Sequence, residues 1–369
     1  MRVMHVCDSI IGGTGSYLTE LLLEQHRSTP DIELMLLMPA EHLSYLDERF
    51  ADSGIAIKTF RRAGRTRGMV MLLLCYLRHL IGWKPQIVHA HSFGAGVVTR
   101  IVPGRWAGLI YCPHGWSFNM TLPTLIQRTL SLLEWILAWR SDALVLISRH
   151  DYDSGREYGI PARKMRLVLS GIEARAPVGP TAAWQDPRVK LLFVGRFDRQ
   201  KGLDVLLRAM EPARHHACLR VIGAPVVGEG GDLPMPRDYL EPIGWQDREG
   251  VFAHMRAADA VVVPSRWEGF GLVAIEAMRL GKAVIASNVG GLAETLGNGK
   301  YGHVFPPGDD AALARTILSL TPAQLAETGR IGRERFAAAY TSDRMAQQIT
   351  DIYRAILSSD PADRVQVAE

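Results

Sequence analysis

The stretch that decides the fold is Ser265-Arg266-Trp267-Glu268-Gly269-Phe270-Gly271-Leu272-Val273-Ala274-Ile275-Glu276. The apolar run that precedes it, residues 260–263, is typical of a buried strand, which Pro264 ends. Apolar residues then recur at helical spacing until Gly281 ends the predicted helix. The chain therefore passes from a strand through a glycine-flanked turn into a helix, and the free backbone N–H groups at that helix end can bind an anion.

Two carboxylates accompany the predicted anion site. Glu268 lies in the turn, and Glu276 lies about one and a half turns into the helix. Because helical side chains lean toward the N-terminus of their helix, both carboxylates are expected to reach the same crevice. An anion on the amides with hydroxyls on the carboxylates describes a nucleotide sugar. The alternative is a buried turn with Glu276 in solvent.

A second motif, Gly195-Arg196-Phe197-Asp198-Arg199-Gln200-Lys201-Gly202, follows the predicted strand Val189–Val194. Two cations at a strand exit can neutralise a diphosphate, both when it binds and when it leaves with growing charge. The alternative is a solvated basic loop.

Both motifs resemble those of retaining glycosyltransferases of family four, which share the GT-B fold. The first resembles the family signature E-G-F-G-L-V-x-x-E-A, and the glycine-rich residues 283–291 that follow it fit the same family. The second resembles the family's G-R-x-x-x-x-K-G. The two motifs agree with the family in order and spacing, and the resemblance covers nearly the whole chain.

The resemblance implies a role for each matching residue. Arg196, Lys201 and the amides of residues 270–273 would hold the donor diphosphate, Glu276 the ribose hydroxyls and Glu268 the sugar hydroxyls. The predicted donor-binding residues are Gly12, Gly13, Arg196, Lys201, Ile243, Glu268, Gly269, Phe270, Gly271, Leu272, Val273 and Glu276. The predicted catalytic residues are His114, Arg196, Lys201 and Glu268.

The first half of the chain offers a glycine loop and a histidine. Gly12 and Gly13 follow the predicted strand Arg2–Cys7, in a loop that is neither a dinucleotide fingerprint nor a P-loop. In the resembled family this loop lines the cleft between donor and acceptor; the alternative is an ordinary tight turn. His114 follows another predicted strand, where open α/β sheets hold ligands, and the family places a sugar- or acceptor-contacting histidine there. Otherwise it is a hydrogen-bonded loop histidine.

No metal cofactor is expected. His89 and His91 share one face of a predicted strand, which permits a metal pair, but no third ligand is apparent and a packing or cleft-lining role is favoured. Asp151-Tyr152-Asp153 resembles a metal-binding Asp-x-Asp, yet Ser148 with Asp151 three residues later indicates a capping box. The four scattered cysteines are interpreted as core residues in a reducing cytosol: Cys7, Cys75, Cys112 and Cys218.

The segment 58–67 carries five cations and precedes an apolar segment, residues 69–83. This combination favours either docking on an anionic membrane or a solvated loop before a core helix. In a predicted amphipathic helix over 121–140, Trp135 and Trp139 share one face that either meets a lipid or packs against the sheet, and burial is expected. With no signal peptide or spanning segment apparent, the protein is expected in the cytoplasm, with peripheral contact to the inner membrane face as an alternative. The net charge of +4 is too small to indicate nucleic-acid binding.

The length of 369 residues predicts two domains. Alternating strands and helices predict two Rossmann-like, doubly wound parallel sheets, and the GT-B fold implies that they face each other across a cleft. The expected divisions are residues 1–173 with a returning helix at 341–357, a linker at 174–187, and residues 188–340. A helix is also predicted over 41–52. The Gly- and Pro-rich loop 226–237 departs from the family pattern, so its role stays open.

The resulting hypothesis is transfer of a sugar from a UDP- or GDP-sugar to an acceptor hydroxyl, with retained anomeric configuration and without a metal ion. The expected acceptor is a lipid-linked or polysaccharide-precursor glycan. Two alternatives stay open: another GT-B enzyme, such as a sugar-nucleotide epimerase, and a non-catalytic nucleotide-sugar-binding subunit.

Overall fold

The computed structural model describes residues 1–62, 64–102, 104, 106–119, 122–225 and 234–359, with only the backbone at Arg65. These residues form two compact units. The first comprises Met1–Ile172 together with the last helix, Ser342–Ser358, and the second comprises Glu173–Thr341. Each unit contains one parallel sheet flanked by helices, which confirms the prediction of two Rossmann-like domains.

Within the described residues, the first unit contains seven strands and six α-helices. The strands are β1 (Arg2–Cys7), β2 (Glu33–Pro39), β3 (Ala56–Phe60), β4 (Ile87–His91), β5 (Gly108–Cys112), β6 (Ala143–Leu146) and β7 (Met165–Leu167). The first five helices are α1 (Gly13–Ser28), α2 (Arg65–Trp83), α3 (Ser92–Ile101), α4 (Thr124–Ala138) and α5 (Arg149–Glu157). The strands lie in the order β3-β2-β1-β4-β5-β6-β7, and all neighbours are parallel.

The second unit repeats this plan with six strands. They are β8 (Val189–Val194), β9 (Ala217–Ile222), β10 (Leu240–Gly244), β11 (Ala260–Val263), β12 (Ala283–Ser287) and β13 (His303–Phe305). The helices are α6 (Leu203–Ala213), α7 (Arg248–Ala257), α8 (Leu272–Arg279), α9 (Gly290–Thr295), α10 (Asp310–Ser319) and α11 (Pro322–Ala339), and α12 is the last helix of the first unit. The strand order is β10-β9-β8-β11-β12-β13.

Both faces of each sheet are buried, because the strands consist mainly of apolar residues. Most side chains of β1, β4, β11 and β12 are buried, as expected for strands that are covered by helices on both sides. In each unit the strand order reverses direction once, between β1 and β4 in the first and between β8 and β11 in the second. Open parallel sheets bind ligands at the carboxyl ends of the strands beside such a switch point.

The last helix packs on α1 and the edge of β4. Gln25 on α1 donates from Nε2 to Oγ1 of Thr350 at 3.2 Å, and Tyr353 shares a 2.7 Å hydrogen bond with Nδ1 of His89. A polar group that is buried gains most when it is paired, so these bonds fix α12 against the first sheet.

A buried ion pair joins α3 to α4. Nη1 of Arg100 lies 2.7 Å from Oε2 of Glu134, both side chains are fully buried, and Tyr111 donates to the other carboxylate oxygen at 3.1 Å. The guanidinium also lies 3.7 Å from the centre of the Tyr111 ring. These contacts fix the inner face of α4 and leave its opposite face outward.

Four local expectations were wrong or missing. The helix predicted over 41–52 is two short 3-10 turns, Ala40–Tyr45 and Glu48–Phe50, because Leu46 between them is extended. Strand β3 includes residues 58–60 of the basic segment, and neither this strand nor α3 was predicted. Trp135 and Trp139 are 40% and 39% exposed, contrary to the expected burial.

None of the helices in the described ranges has both the length and the hydropathy that a membrane-spanning segment needs. Of the loop 226–237, residues 226–233 lie outside the described part of the chain.

Candidate functional site

The loops after β8 and β11 touch each other at the switch point of the second unit. Gly202 has a φ of +68°, and a Cβ atom there would lie 2.0 Å from the carbonyl oxygen of Pro264. The backbone N–H of Arg266 donates to the carbonyl of Gln200 at 2.8 Å, and the Gln200 side chain donates to the carbonyl of Trp267 at 3.2 Å. Only glycine allows so close an approach, so this contact sets the spacing between the two motifs.

The two predicted diphosphate-binding cations lie in this pair of loops. Nζ of Lys201 lies 2.6 Å from Oε2 of Glu268, which unites one residue of each motif. Arg196 is 47% exposed, pairs with Asp198 at 2.9 Å and donates to Gln200 at 3.0 Å. Asp198 also accepts from the backbone N–H of Lys201 at 2.9 Å, so one carboxylate orders the loop that carries both cations.

The turn between β11 and α8 presents a helix N-terminus beside these cations. Gly271 precedes α8 with a φ of +85°, and the described residues provide no side-chain cap for this helix. The uncapped N–H groups of residues such as Leu272 and Val273 give this end a partial positive charge. Phe270 is buried and packs edge-on against Tyr340 at a centroid distance of 5.7 Å, which anchors the turn.

Glu268 is held by two neighbours inside the turn. Besides Lys201, Oγ of Ser265 donates to Oε2 of Glu268 at 3.3 Å. A Cβ atom on Gly271 would lie 3.6 Å from Cγ of Glu268, so the carboxylate stem passes beside the start of α8. Gly269, the residue after Glu268, is half-buried. The turn therefore fixes a carboxylate, an ammonium group and a helix end in one place.

Two further predicted donor residues flank this centre. Glu276 is half-buried in the second turn of α8. Ile243 lies near the end of β10, where the pairing with β9 shifts register between Pro242 and Gly244. A register shift releases backbone groups from the ladder, which suits a strand end that presents main-chain atoms to a ligand.

The predicted glycine loop of the first unit lies at that unit's own switch point. Gly12 has a φ of +82° and precedes α1, which begins at Gly13. Gly15, in the first turn of α1, packs tightly against the backbone of Ile10, since a Cβ atom on Gly15 would lie 2.0 Å from the Ile10 carbonyl oxygen. This loop is therefore a tightly folded turn into an uncapped helix within the described residues.

His114 belongs to a cluster of four histidines in the first unit. Its Nε2 lies 3.0 Å from Nδ1 of His91, and Nε2 of His91 lies 3.0 Å from Nδ1 of His5. His89 completes the cluster with a ring centroid 4.2 Å from that of His91. His114 itself has a left-handed φ of +56°, which is unusual for a non-glycine residue and concentrates at functional sites.

Sequence reasoning missed two residues of this region. His5 lies beside His89 because β1 pairs with β4, a neighbour relation that strand periodicity within β4 does not reveal. Asp8 follows β1 and accepts weakly from the N–H of Ala95 at 3.4 Å. Burial raises the pKa of the Asp8 carboxyl above its ordinary value. The sequence signal that could have identified Asp8 is its position directly after the first strand.

The cluster supplies the third histidine that was not apparent from sequence, since His5, His89 and His91 could together approach a metal ion. His91, Cys112 and His114 form a second such group. Neither group contains a carboxylate, and both ring nitrogens of His91 already lie at hydrogen-bond distance from other histidines. Burying a divalent cation among neutral groups without a countercharge is costly, so these contacts favour a hydrogen-bonded cluster.

The Asp-x-Asp segment behaves as a helix start. Oγ of Ser148 accepts from the N–H of Asp151 at 3.1 Å, which confirms Ser148 as the N-cap of α5.

Comparison with known proteins identifies the family. Residues 11–175 match a family model described as Glycosyltransferase Family 4, and residues 188–322 match one described as Glycosyl transferases group 1. A D-inositol 3-phosphate glycosyltransferase from Jonesia denitrificans is 35% identical over 305 residues, which cover 74% of this chain and 72% of that protein. The chain belongs to glycosyltransferase family four.

Solved structures show that this glycosyltransferase has the GT-B fold. Sucrose-phosphate synthase from Thermosynechococcus elongatus superposes with a TM-score of 0.81 at 21% identity, over 98% of this chain and 100% of that one. The Anabaena protein HepE, solved in complex with UDP-glucose, gives a TM-score of 0.76 at 18% identity, over 96% and 100% of the two chains.

The contact at Gly202 gives a test of the loop geometry. Gly202→Ala should destabilise the protein by about 2–4 kcal/mol, because its Cβ adds a clash with Pro264 to the strain of a left-handed alanine. Gly308→Ala is the matched control, since Gly308 has a φ of +78° with open space around its Cβ position. Urea unfolding should show the larger loss of stability for Gly202→Ala, and equal losses would contradict the proposed close contact.

Proposed function

We propose that the protein transfers a hexose from a nucleoside diphosphate sugar to an acceptor hydroxyl, with retention of configuration. The observation that carries the proposal is the 2.6 Å contact between Lys201 and Glu268 at the start of α8. This contact places an ammonium group, a carboxylate and a helix N-terminus where one ligand could meet all three. A ligand with a diphosphate next to a sugar has the matching sequence of charges and hydroxyls.

The residue roles follow from this placement. Arg196, Lys201 and the amides of residues 270–273 hold the diphosphate, because two cations and a helix end stabilise its charge in the complex and as it leaves. Glu276 binds the ribose hydroxyls, Glu268 binds the sugar hydroxyls, and the backbone near Ile243 meets the base.

From the first unit, His114 and the loop at Gly12 and Gly13 contribute contacts to the sugar or the acceptor. The left-handed backbone of His114 and its place after β5 support this role.

In the structure each cation is paired with a carboxylate, Arg196 with Asp198 and Lys201 with Glu268. A diphosphate carries more charge than either carboxylate, so it can draw both cations to itself while their anchors keep the loop ordered. Glu268 is then released from Lys201 and becomes available to accept hydrogen bonds from sugar hydroxyls.

The donor class is supported by HepE, which was solved with UDP-glucose. We propose a UDP- or GDP-sugar as donor and a lipid-linked or polysaccharide-precursor glycan as acceptor. The relative from Jonesia denitrificans is named for a small phosphorylated acceptor, D-inositol 3-phosphate, and such a polar acceptor is the leading alternative to a glycan.

Retention of configuration is inferred from the family. We assign Glu268 to the sugar hydroxyls, where it also accepts from Ser265, and assign no carboxylate the role of nucleophile. We therefore propose that the acceptor attacks on the face from which the diphosphate departs, with no covalent glycosyl-enzyme intermediate.

A donor screen and two substitutions test the proposal. Thermal shift with UDP-, GDP- and ADP-sugars should identify the donor, since binding raises the apparent stability. With that donor, Arg196→Ala and Lys201→Ala should each lower kcat roughly a hundredfold or more, because each removes charge stabilisation of the leaving group.

Arg199→Ala is the control for the cation variants, since Arg199 is an exposed cation in the same loop whose side chain has no predicted role. Near-normal turnover in either cation variant would contradict the assigned roles. Release of an altered free sugar would indicate an epimerase, and donor binding without turnover on a broad acceptor panel would indicate a non-catalytic subunit.

Metal independence gives a second test, because Arg196, Lys201 and the start of α8 supply the positive charge that a divalent cation would otherwise provide. Turnover should stay within about twofold of its original value in excess EDTA. A loss of activity that Mg²⁺ or Mn²⁺ restores would refute this.

We further propose that the first unit binds the surface of an anionic membrane. The outward face of α4 and the residue that follows this helix expose large apolar side chains: Leu125, Ile126, Leu132, Trp135, Ile136 and Trp139. Helix α3 contacts both α4 and α2, and α2 exposes a second apolar set: Val70, Met71, Leu74 and Ile81. Exposed arginines border these helices: Arg61, Arg62, Arg67 and Arg78. Apolar side chains next to cations suit the interface of an anionic bilayer.

Replacing Arg61, Arg62, Arg65 and Arg67 together by Gln should abolish binding to vesicles rich in phosphatidylglycerol, measured by sedimentation at low salt. The loss is expected because each basic residue near an anionic surface contributes about 1 kcal/mol.

A variant with Gln at four exposed arginines of the second unit, Arg208, Arg315, Arg330 and Arg333, carries the same change in charge. It should still sediment with the vesicles. Equal loss in both variants would show a non-specific charge effect and refute the membrane surface.

A further inference from the structure

The histidine cluster of the first unit forms a linear chain of hydrogen bonds that ends at the predicted catalytic histidine. The chain runs from His114 through His91 to His5, with both N···N distances at 3.0 Å. His5 and His91 are fully buried, whereas His114 is partly exposed at the end of β5. His91 therefore contacts His114, His5 contacts His91, and neither of these two inner histidines faces solvent.

All members of the chain are neutral imidazoles at neutral pH. Burial lowers the pKa of His5 and of His114 to about 3. Burial, with the neighbouring histidines adding to it, lowers the pKa of His91 well below its ordinary value. A neutral imidazole carries one proton, so one ring nitrogen donates and the other accepts.

Because each ring has a single proton, the chain has a direction. If Nδ1 of His5 accepts, then His91 donates from Nε2 and accepts at Nδ1. The donor to Nδ1 of His91 is then the Nε2–H group of His114. The opposite direction places the proton of His114 on Nδ1. One group at the end of the chain is enough to select between the two.

Gln25 on α1 is that group. Its Nε2 donates to Thr350 at 3.2 Å, which leaves Oε1 as the amide atom for another partner. The Gln25 side chain is the hydrogen-bonding neighbour of His5 and raises the pKa of His5, although the lowering by burial is larger. Nε2 of His5 and Oε1 of Gln25 are both buried without a regular hydrogen bond to a described residue. Because an amide oxygen only accepts, we assign the His5 proton to Nε2, which is the complementary donor.

We propose that His5 and His91 are positioning residues that hold His114 with its proton on Nε2 and a bare Nδ1. In this state His114 offers a lone pair, so it accepts a hydrogen bond from a hydroxyl group and does not donate one. The use of that lone pair for a sugar or acceptor hydroxyl rests on the proposed function.

The surroundings of His114 hold its ring in one orientation. The Tyr17 ring packs edge-on against it at a centroid distance of 4.7 Å, and the backbone is left-handed at φ +56°. Such a backbone is strained for a non-glycine residue, and the fold retains it where the ring meets His91. A ring that is fixed in position and tautomer presents one defined hydrogen-bonding atom.

The test is the ¹⁵N spectrum of the full-length protein labelled on histidine, with His114 assigned by the loss of its signals in His114→Gln. Between pH 6 and 8 the wild-type protein should show a protonated Nε2 and an unprotonated Nδ1 at His114. A proton on Nδ1, or an even mixture of tautomers, would overturn the proposal.

Two variants report on the chain itself. His91→Leu removes the acceptor and should shift the tautomer ratio of His114 about fivefold or more, the equivalent of one hydrogen bond of about 1 kcal/mol. His91→Gln can accept from His114 and donate to His5, so it should restore the wild-type tautomer. Identical His114 spectra in all three proteins would overturn the proposal.

Gln25→Met tests the end of the chain and leaves every histidine in place, in case His91→Leu does not fold. It should raise the fraction of the Nδ1–H tautomer at His114, and an unchanged spectrum would show that Gln25 does not direct the chain. Stoichiometric, tight Zn²⁺ binding that removes the imidazole N–H signals would replace the chain by a metal site and also overturn it.

Turnover with the donor from the thermal-shift screen separates this inference from the proposed function. A lower kcat at unchanged donor KM in His91→Leu, with restoration in His91→Gln, supports both. If the wild-type tautomer of His114 is as proposed but turnover is unchanged in His91→Leu, the chain of hydrogen bonds stands and His114 has no part in the proposed mechanism.

Discussion

The close contact between the loops after β8 and β11 is the constraint on which the donor-side geometry depends. Neighbouring parallel strands bring their exits together, but only Gly202 lets the first loop lie against the carbonyl of Pro264. Lys201, the residue before it, thereby reaches Glu268, although the two are 67 residues apart in sequence. Anion-binding charge is thus assembled by backbone packing, and the flexible side chains only complete it. A lysine on a looser loop would lose more conformational entropy on binding the same ligand.

This constraint also explains why each cation has a carboxylate partner. Arg196, Lys201 and the start of α8 all carry positive charge, and in the absence of a ligand they would repel one another. Asp198 and Glu268 relieve that repulsion at 2.9 and 2.6 Å and keep the loops ordered. In the first unit, the surroundings of His114 need no such carboxylate partner. Burial keeps its histidines neutral, and hydrogen bonds order their protons.

The sequence predicted those parts of the fold that depend on local patterns. Apolar runs bounded by glycine and proline marked β8, β11 and β12, and the same turns marked Arg196, Lys201 and Glu268. The prediction failed where several local preferences compete, as over 41–52, where an extended Leu46 breaks the helix and Asp47 caps the next short turn instead. It also failed where distant segments meet. His89 and His91 were seen as a pair, but His5 joins them only through the pairing of β1 with β4. Strand order is a property of the whole sheet, so no window of sequence contains it.

The thiols of the protein differ in a way that is useful for labelling chemistry. Cys7, Cys112 and Cys218 are buried, and burial raises the pKa of each thiol above its ordinary value. They remain protonated and shielded from maleimides and iodoacetamides. Cys75 is half-buried on α2, two turns along from Gly68, with Sγ 3.7 Å from the carbonyl oxygen of Thr59. Its partial burial also raises the pKa of its thiol, so it differs from the other three in its accessibility. A fluorophore could therefore be attached at a single native position, beside the basic segment, without removing any other cysteine.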